Sequence, residues 1–242
     1  MNQSKPVIYR AIFGGYDDLP KPPSHEFSEK FRFILITGKT VSVTGWENLV
    51  IESNDPVASN RECKFEPWLY FSCSDSFYFD GHVSSGDNFE SLAGTLLDSK
   101  AEFAVLRHRG GGTIGSEFFR CINHGKIDAN EFARLLKLKV DFNKTAVECG
   151  FIYRKHYSQS LINQANNWKV LFQSIVRRDQ LIIYESFRDT GGDITIIDSC
   201  FNSEDDYLRV GIHKNGKLLN IKTRFFKALK IIRTGLFFGT EE

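Results

Sequence analysis

Short apolar runs rich in β-branched and aromatic residues recur along the chain, each closed by a turn or a charged residue, and stretches of helical patterning separate them. Val7 to Phe13 ends at Gly14-Gly15, Phe31 to Thr37 ends at Gly38, and Ser76 to Phe79 runs straight into Asp80-Gly81-His82. Glu102 to Leu106 is followed by Arg107-His108-Arg109 and three glycines, and Val147 to Arg154 and Asp193 to Ile197 complete the set. Runs of this length, mostly apolar, read as strands buried on both faces. Between them, Asp55-Pro56 supplies an N-cap and a proline at the first helical position for a helix through Phe65. Asp128 and Glu131 form a capping box for ANEFARLLKL. Phe89 to Leu97 reads as helix, Ser160 to Tyr184 as mostly helix, and residues 19–30 (LPKPPSHEFSEK) as a loop. Strands alternating with helices predict an α/β fold with a mostly parallel central sheet flanked by helices.

Charge and cysteine content narrow the function classes. With 31 basic and 30 acidic side chains the formal net charge is +1, which argues against a general nucleic-acid binder, because phosphate-driven binding needs a basic surplus. Five cysteines, Cys63, Cys73, Cys121, Cys149 and Cys200, are spread singly, so neither a disulfide framework nor a zinc knuckle is expected, and a reducing compartment fits. Neither a secretory leader nor an 18-residue apolar run is read, so a cytoplasmic location is expected. Residues 217–242 have their own character. Leu218, Ile221, Phe225, Leu229 and Ile232 recur at helical spacing among Lys222, Arg224, Lys227, Lys230 and Arg233. Such a helix either lies peripherally on an anionic membrane surface or packs on the sheet. The domain division expected is 1–216 for the catalytic domain and 217–242 for this tail.

Four groups of residues carry chemistry. Phe13-Gly14-Gly15-Tyr16-Asp17-Asp18 follows the first strand, where glycines let backbone approach a ligand and an aromatic ring can stack on a base. Its spacing is neither that of a dinucleotide-binding turn nor that of a P-loop. Asp80-Gly81-His82 offers a carboxylate to a hard cation bridging phosphates, and an imidazole that suits Mn²⁺. Asp-Gly is also a common turn. Arg177-Arg178-Asp179-Gln180, toward the end of the long helical stretch, sets a carboxylate beside two guanidiniums, either as a solvated ion pair or as a site held ionised. His213 to Lys217 puts an imidazole and two ammonium groups around a turn.

Taken in order, YRAIFGGYDDL, the Arg61/Lys64 helix before Pro67-Trp68, FDGHV, ECGFIYRKH and RRDQL resemble an uncharacterised glycosyltransferase-like family with plant Golgi and bacterial members, from about Val7 to Tyr184. His213 to Lys217 also resembles the terminal metal-binding element of the family that includes glycogenin and bacterial lipopolysaccharide galactosyltransferases. The resemblance implies a GT-A fold and transfer of a sugar from a nucleoside diphosphate sugar to a surface glycan or glycolipid, with Mn²⁺ or Mg²⁺. It implies that Phe13, Gly14, Gly15 and Tyr16 hold the nucleotide and that Arg61 and Lys64 face the sugar or diphosphate. Asp80 and His213 would be metal ligands, with Lys217 near the diphosphate. His82 stands where the usual Asp-x-Asp motif has its second carboxylate. Asp179-Gln180 matches a pair that lies beside the transferred sugar in the glycogenin-like enzymes, which suggests retention of anomeric configuration. Inversion by a carboxylate base is the alternative. Glu148, Glu117 and His108 are candidates to orient the sugar or acceptor hydroxyl. A sugar nucleotidyltransferase and a non-catalytic nucleotide- or glycan-binding module are the competing readings.

Overall fold

The structure, a computed structural model, describes residues 5–15, 17–198 and 206–211. In chain order it contains β1 (Val7–Ile12), α1 (His25–Lys30), β2 (Arg32–Thr37), β3 (Glu47–Val50), α2 (Pro56–Phe65), a 3-10 turn (Pro67–Leu69), β4 (Asp75–Phe79) and β5 (Val83–Ser85). There follow α3 (Phe89–Asp98), β6 (Phe103–Arg107), α4 (Ile114–Asn123), α5 (Ala129–Lys137), β7 (Val147–Lys155), α6 (Gln159–Ser174), α7 (Asp179–Ser186), β8 (Thr195–Ile197) and β9 (Leu208–Val210).

Seven strands form one sheet in the order β3-β2-β1-β4-β7-β6-β8, and β5 pairs with β9 in a small antiparallel ribbon. Every neighbouring pair in the large sheet is parallel except those made by β7, which runs against both β4 and β6. The α/β expectation of a mostly parallel sheet flanked by helices therefore holds. All six residues of β1 are buried, because strands lie on both its edges and helices on both its faces. Alternate residues feed two cores: Val7, Tyr9 and Ala11 join Phe65, Trp168 and Ile182 on one face, while Ile8 joins Phe77, Phe89 and Phe151 on the other. The second core is largely a stack of phenylalanine rings, such as Phe77 on Phe89 at 5.5 Å, and takes in several of the chain's 22 phenylalanines.

The caps read from sequence form as expected. Asp55 accepts from the amides of Val57 and Ala58 at 3.0 Å, and Asp128 and Glu131 make both bonds of the capping box. Two expectations need correction. Residues 25–30 are not loop but the short helix α1, started by the Ser24 hydroxyl accepting from Phe27 N. The helical stretch 160–184 is not continuous, because α6 stops at Ser174 and α7 begins at Asp179. Side chains from α5 support the break: Arg134 donates to the Ile175 carbonyl at 2.9 Å and Glu131 accepts from Arg177 N at 3.0 Å. Asp179 thus opens a helix rather than ending one, where the positive end of the helix dipole favours its charge.

A Ser–His pair lies at the opposite end of β4 and β7 from Asp80 and Glu148. His156 Nε2 is 2.8 Å from Ser76 Oγ and 3.6 Å from Cys73 Sγ, and all three residues are buried. Burial, reinforced by the nearby Arg154 charge, pushes the imidazole down to about 3, and burial pushes the Cys73 thiol up to about 12. The cluster is therefore a neutral packing element, not a nucleophile. An imidazole held neutral in the fold binds its proton more readily when unfolded, so its stabilisation is present above about pH 6.5 and is lost as pH falls toward 3. Urea titrations should show His156 contributing a slope of about 1.4 kcal/mol per pH unit across that window. His156→Gln should flatten it, and an unchanged acid limb would contradict this account.

Candidate functional site

In an open parallel sheet the carboxyl ends of the strands share one edge, and ligands bind there. β1 delivers Phe13 and Gly14 to that edge, β4 delivers Asp80, Gly81 and His82, and β6 delivers His108. Because β7 is reversed, its beginning lies at the same edge and brings Glu148 and Cys149. A cleft of about 740 Å³ opens there. Phe13, Gly14, Asp80 and His82 line one part of it, Arg61 and Lys64 enter from α2, Glu148 from β7, and Asp179 and Gln180 from α7. His108 and Glu117 close the far side. Gly15 is exposed and outside the lining. Tyr16, His213, Lys217 and the tail 217–242 lie outside the described residues.

The floor is an ion-pair network. Lys64 Nζ donates to Asp179 Oδ2 at 2.5 Å, and Arg61 Nε approaches the same oxygen at 3.5 Å. Lys64 is 1 % exposed and Asp179 3 %, so each is the other's main compensation for leaving water. Burial pushes the Asp179 carboxyl up, but Lys64, Arg61 and Arg178 outweigh it and hold the group well below the usual carboxylate range. Trp168 Nε1 donates to the Asp179 carbonyl at 3.2 Å and fixes the start of α7. Arg154, buried behind the sheet, donates to Phe65 O at 2.7 Å, at the carbonyl end of α2 where the helix dipole welcomes a cation. α2 therefore presents Arg61 and Lys64 from a helix held at both ends.

Above that floor the Tyr78 hydroxyl donates to Asp80 Oδ1 at 2.5 Å. Burial raises the Asp80 carboxyl, but Lys64, Arg61 and this hydroxyl outweigh it, so Asp80 is ionised at neutral pH. Gly81 has no room for a side chain, since a Cβ there would stand 2.3 Å from Asp17 Oδ2. That close approach sets the Asp17 carboxylate against the Gly81 turn, in the same cleft as Asp80. On the far side, His108 Nε2 lies 3.4 Å from Glu117 and 3.5 Å from Glu148. Glu117 also accepts from Arg120 Nε at 2.9 Å.

Asp17, part of the glycine turn read from the sequence, lines the cleft as well, and so do Asn60, Cys149 and Arg120, which were not singled out from the sequence. Asn60 shares a helix face with Lys64 at i, i+4, and Arg120 follows Glu117 by three, so helical spacing carried a signal for both.

Among the described residues no three His, Cys, Asp or Glu side chains converge as a closed metal site. An ion shared with a diphosphate needs only one or two protein carboxylates, taking its other ligands from phosphate and water. An ionised Asp80 with His82 on the same turn fits that kind of ion. No helix among the described residues is long and apolar enough to cross a membrane.

No protein-family model matches the sequence, and no curated protein matches it. Several solved structures are similar in outline. A glycosyltransferase involved in glycosylation of the major capsid of PBCV-1 aligns over 94% of this chain and 99% of its own, at 9% identity and a TM-score of 0.43. The 4-diphosphocytidyl-2C-methyl-D-erythritol synthase of Anaerococcus prevotii aligns over 95% and 99%, at 10% identity and a TM-score of 0.44. The glycosyltransferase GlyE of Streptococcus pneumoniae aligns over 97% of this chain and 63% of its own, at 8% identity and a TM-score of 0.46. What the cleft does must be read from its own residues.

Proposed function

We propose that the chain is a glycosyltransferase of GT-A type that moves a sugar from a nucleoside diphosphate sugar to a glycan or glycolipid acceptor. One observation carries this reading: Asp80, the Lys64–Asp179–Arg61 network and the His108–Glu117–Glu148 group, far apart in sequence, face a single cleft at the carboxyl edge of the sheet. Its volume of about 740 Å³ suits a nucleotide sugar. The glycine turn after β1 lets the nucleotide approach the backbone, with Phe13 at the wall. Arg61, Lys64 and Arg178 stand where the negative charge of a departing diphosphate needs compensation. Asp80 and His82 would hold Mn²⁺ or Mg²⁺, which supplies further neutralisation of that charge when bound. Asp179 has both oxygens engaged, one by Lys64 and Arg61 and one by the Gln180 amide at 3.2 Å. It acts on the sugar by fixing those cations, and is a positioning residue. A membrane-borne acceptor is the reading that the basic tail suggests.

The protein incubated with Mn²⁺, a panel of nucleoside diphosphate sugars and oligosaccharide acceptors should release the matching nucleoside diphosphate. That diphosphate at a hundredfold excess over its dissociation constant should raise the melting temperature by roughly 5–10 °C. Release of pyrophosphate from a nucleoside triphosphate and a sugar phosphate, without nucleoside diphosphate release, would instead make the chain a nucleotidyltransferase.

A further inference from the structure

We infer that Glu148 is the general base of the transfer, positioned by His108, and that the anomeric configuration is therefore inverted; this rests on the glycosyltransferase reading above. The register of β7 against β6 jumps from Val105↔Ile152 to Leu106↔Glu148, so one step on β6 is matched by a bulge at residues 149–151. The bulge holds Glu148 over the phosphate-facing floor. Gly150, two residues on, accepts from Asp80 N at 2.8 Å, and the Cys149 thiol between them feels Asp179, Lys64, Glu148 and Arg61 together.

Two carboxylates flank His108, and the arginines distinguish them. Glu117 accepts from Arg120 Nε at 2.9 Å and faces Arg178 at 4.0 Å, so its charge is already neutralised. Glu148 has the imidazole. The Gly110 amide donates to His108 Nδ1 at 3.0 Å, which puts the ring proton on Nε2, directed between the two carboxylates. Glu148 Oε2 is buried and accepts no hydrogen bond among the described residues, the 3.5 Å approach of His108 being an electrostatic contact. An orphaned buried acceptor at the wall of a cleft calls for a partner, and an acceptor hydroxyl brought in by substrate supplies one. The glycine loop serves this arrangement, because a Cβ on Gly110 would stand 2.4 Å from the Arg120 guanidinium.

In the step itself the acceptor hydroxyl gives its proton to Glu148 Oε2 while its oxygen forms a bond to the anomeric carbon. The bond from that carbon to the diphosphate oxygen breaks, and its electron pair leaves with the nucleoside diphosphate. Glu148 returns the proton to solvent after product release. Asp179 cannot serve as an alternative nucleophile for a retaining path while Lys64 and Arg61 hold its oxygen.

The test uses UDP-glucose, UDP-galactose and GDP-mannose, all α-linked, with water or sodium azide as the nucleophile. Glu148→Gln should lower donor hydrolysis at least a hundredfold while nucleoside diphosphate affinity stays within threefold. Azide, which has no proton to lose, should restore turnover in Glu148→Gln, and proton NMR should show a β-glycosyl azide. His108→Ala should lower kcat about tenfold at unchanged donor KM, and His108→Gln, which keeps an N–H donor, should recover most of it. An α-linked azide product, or hydrolysis by Glu148→Gln at the wild-type rate, overturns the assignment. Failure of the wild-type protein to turn over any of these donors counts against the glycosyltransferase reading and removes the base with it.

Discussion

Asp179→Asn is expected to lower stability by about 3–5 kcal/mol, the loss typical when one partner of a buried ion pair is removed, and to lower the melting temperature by on the order of 10 °C. The size follows from Lys64. Its ammonium is 1 % exposed, its hydrogen-bond acceptor is Asp179 Oδ2, and nothing else on α2 or α7 neutralises it. Taking away the carboxylate leaves a buried ammonium without its hydrogen-bonded partner, with Asp80 as the carboxylate that still feels its charge. The double variant Asp179→Asn/Lys64→Met should regain at least half of the lost stability while remaining without turnover, since the remaining defect is in the cleft's chemistry. The same carboxylate predicts an acid limb. Its folded value lies below its ordinary 3.8, so its stabilisation is complete above about pH 4 and disappears as pH falls further. A loss under 1 kcal/mol for the single variant, or a double variant as unstable as the single, would show that the pair is not the keystone of the floor.

Asp80→Asn should behave in the opposite way. The amide oxygen can still accept from Tyr78, so the fold keeps its 2.5 Å contact and the melting temperature should stay within a few degrees. What changes is charge in the cleft at the carboxyl edge of the sheet. Transfer should fall by about 10²–10³, comparable to losing one preorganised electrostatic contact in a transition state. Nucleoside diphosphate binding, measured by calorimetry with and without Mn²⁺, should lose its dependence on the ion. If Asp80→Asn binds nucleoside diphosphate with undiminished ion dependence, the carboxylate is not a ligand and the positive side chains of the cleft carry the neutralisation by themselves.

Local chemistry wrote much of the architecture into the sequence. The Asp55 cap, the Asp128–Glu131 box and the apolar run of β1 depend on neighbours a few residues away, and each was legible. The residue types that line the cleft were legible for a related reason: glycines, carboxylates and cations gather after strands, at the edge where the sheet opens. Their partnerships were not. Lys64 and Asp179 are separated by 115 residues and meet only because α2 and α7 pack on the same sheet face. The interruption between α6 and α7 depends on Arg134 and Glu131 of another helix, and no periodicity within 160–184 announces it. The reversal of β7 is invisible for the same reason, since a strand buried on both faces reads alike in either direction.

That reversal bears on how the molecule is made. As the chain emerges from a ribosome, β1, β2, β3 and β4 can pair with one another, but β4 then waits as an open sheet edge while more than sixty further residues are synthesised before Val147–Lys155 arrives to cover it. Until then Phe77, Tyr78 and Phe79 border an unpaired edge, the kind of surface on which nascent chains associate wrongly. Insertion of one antiparallel strand between two parallel halves thus both covers the open edge of β4 and brings Glu148 to the cleft that Asp80 lines.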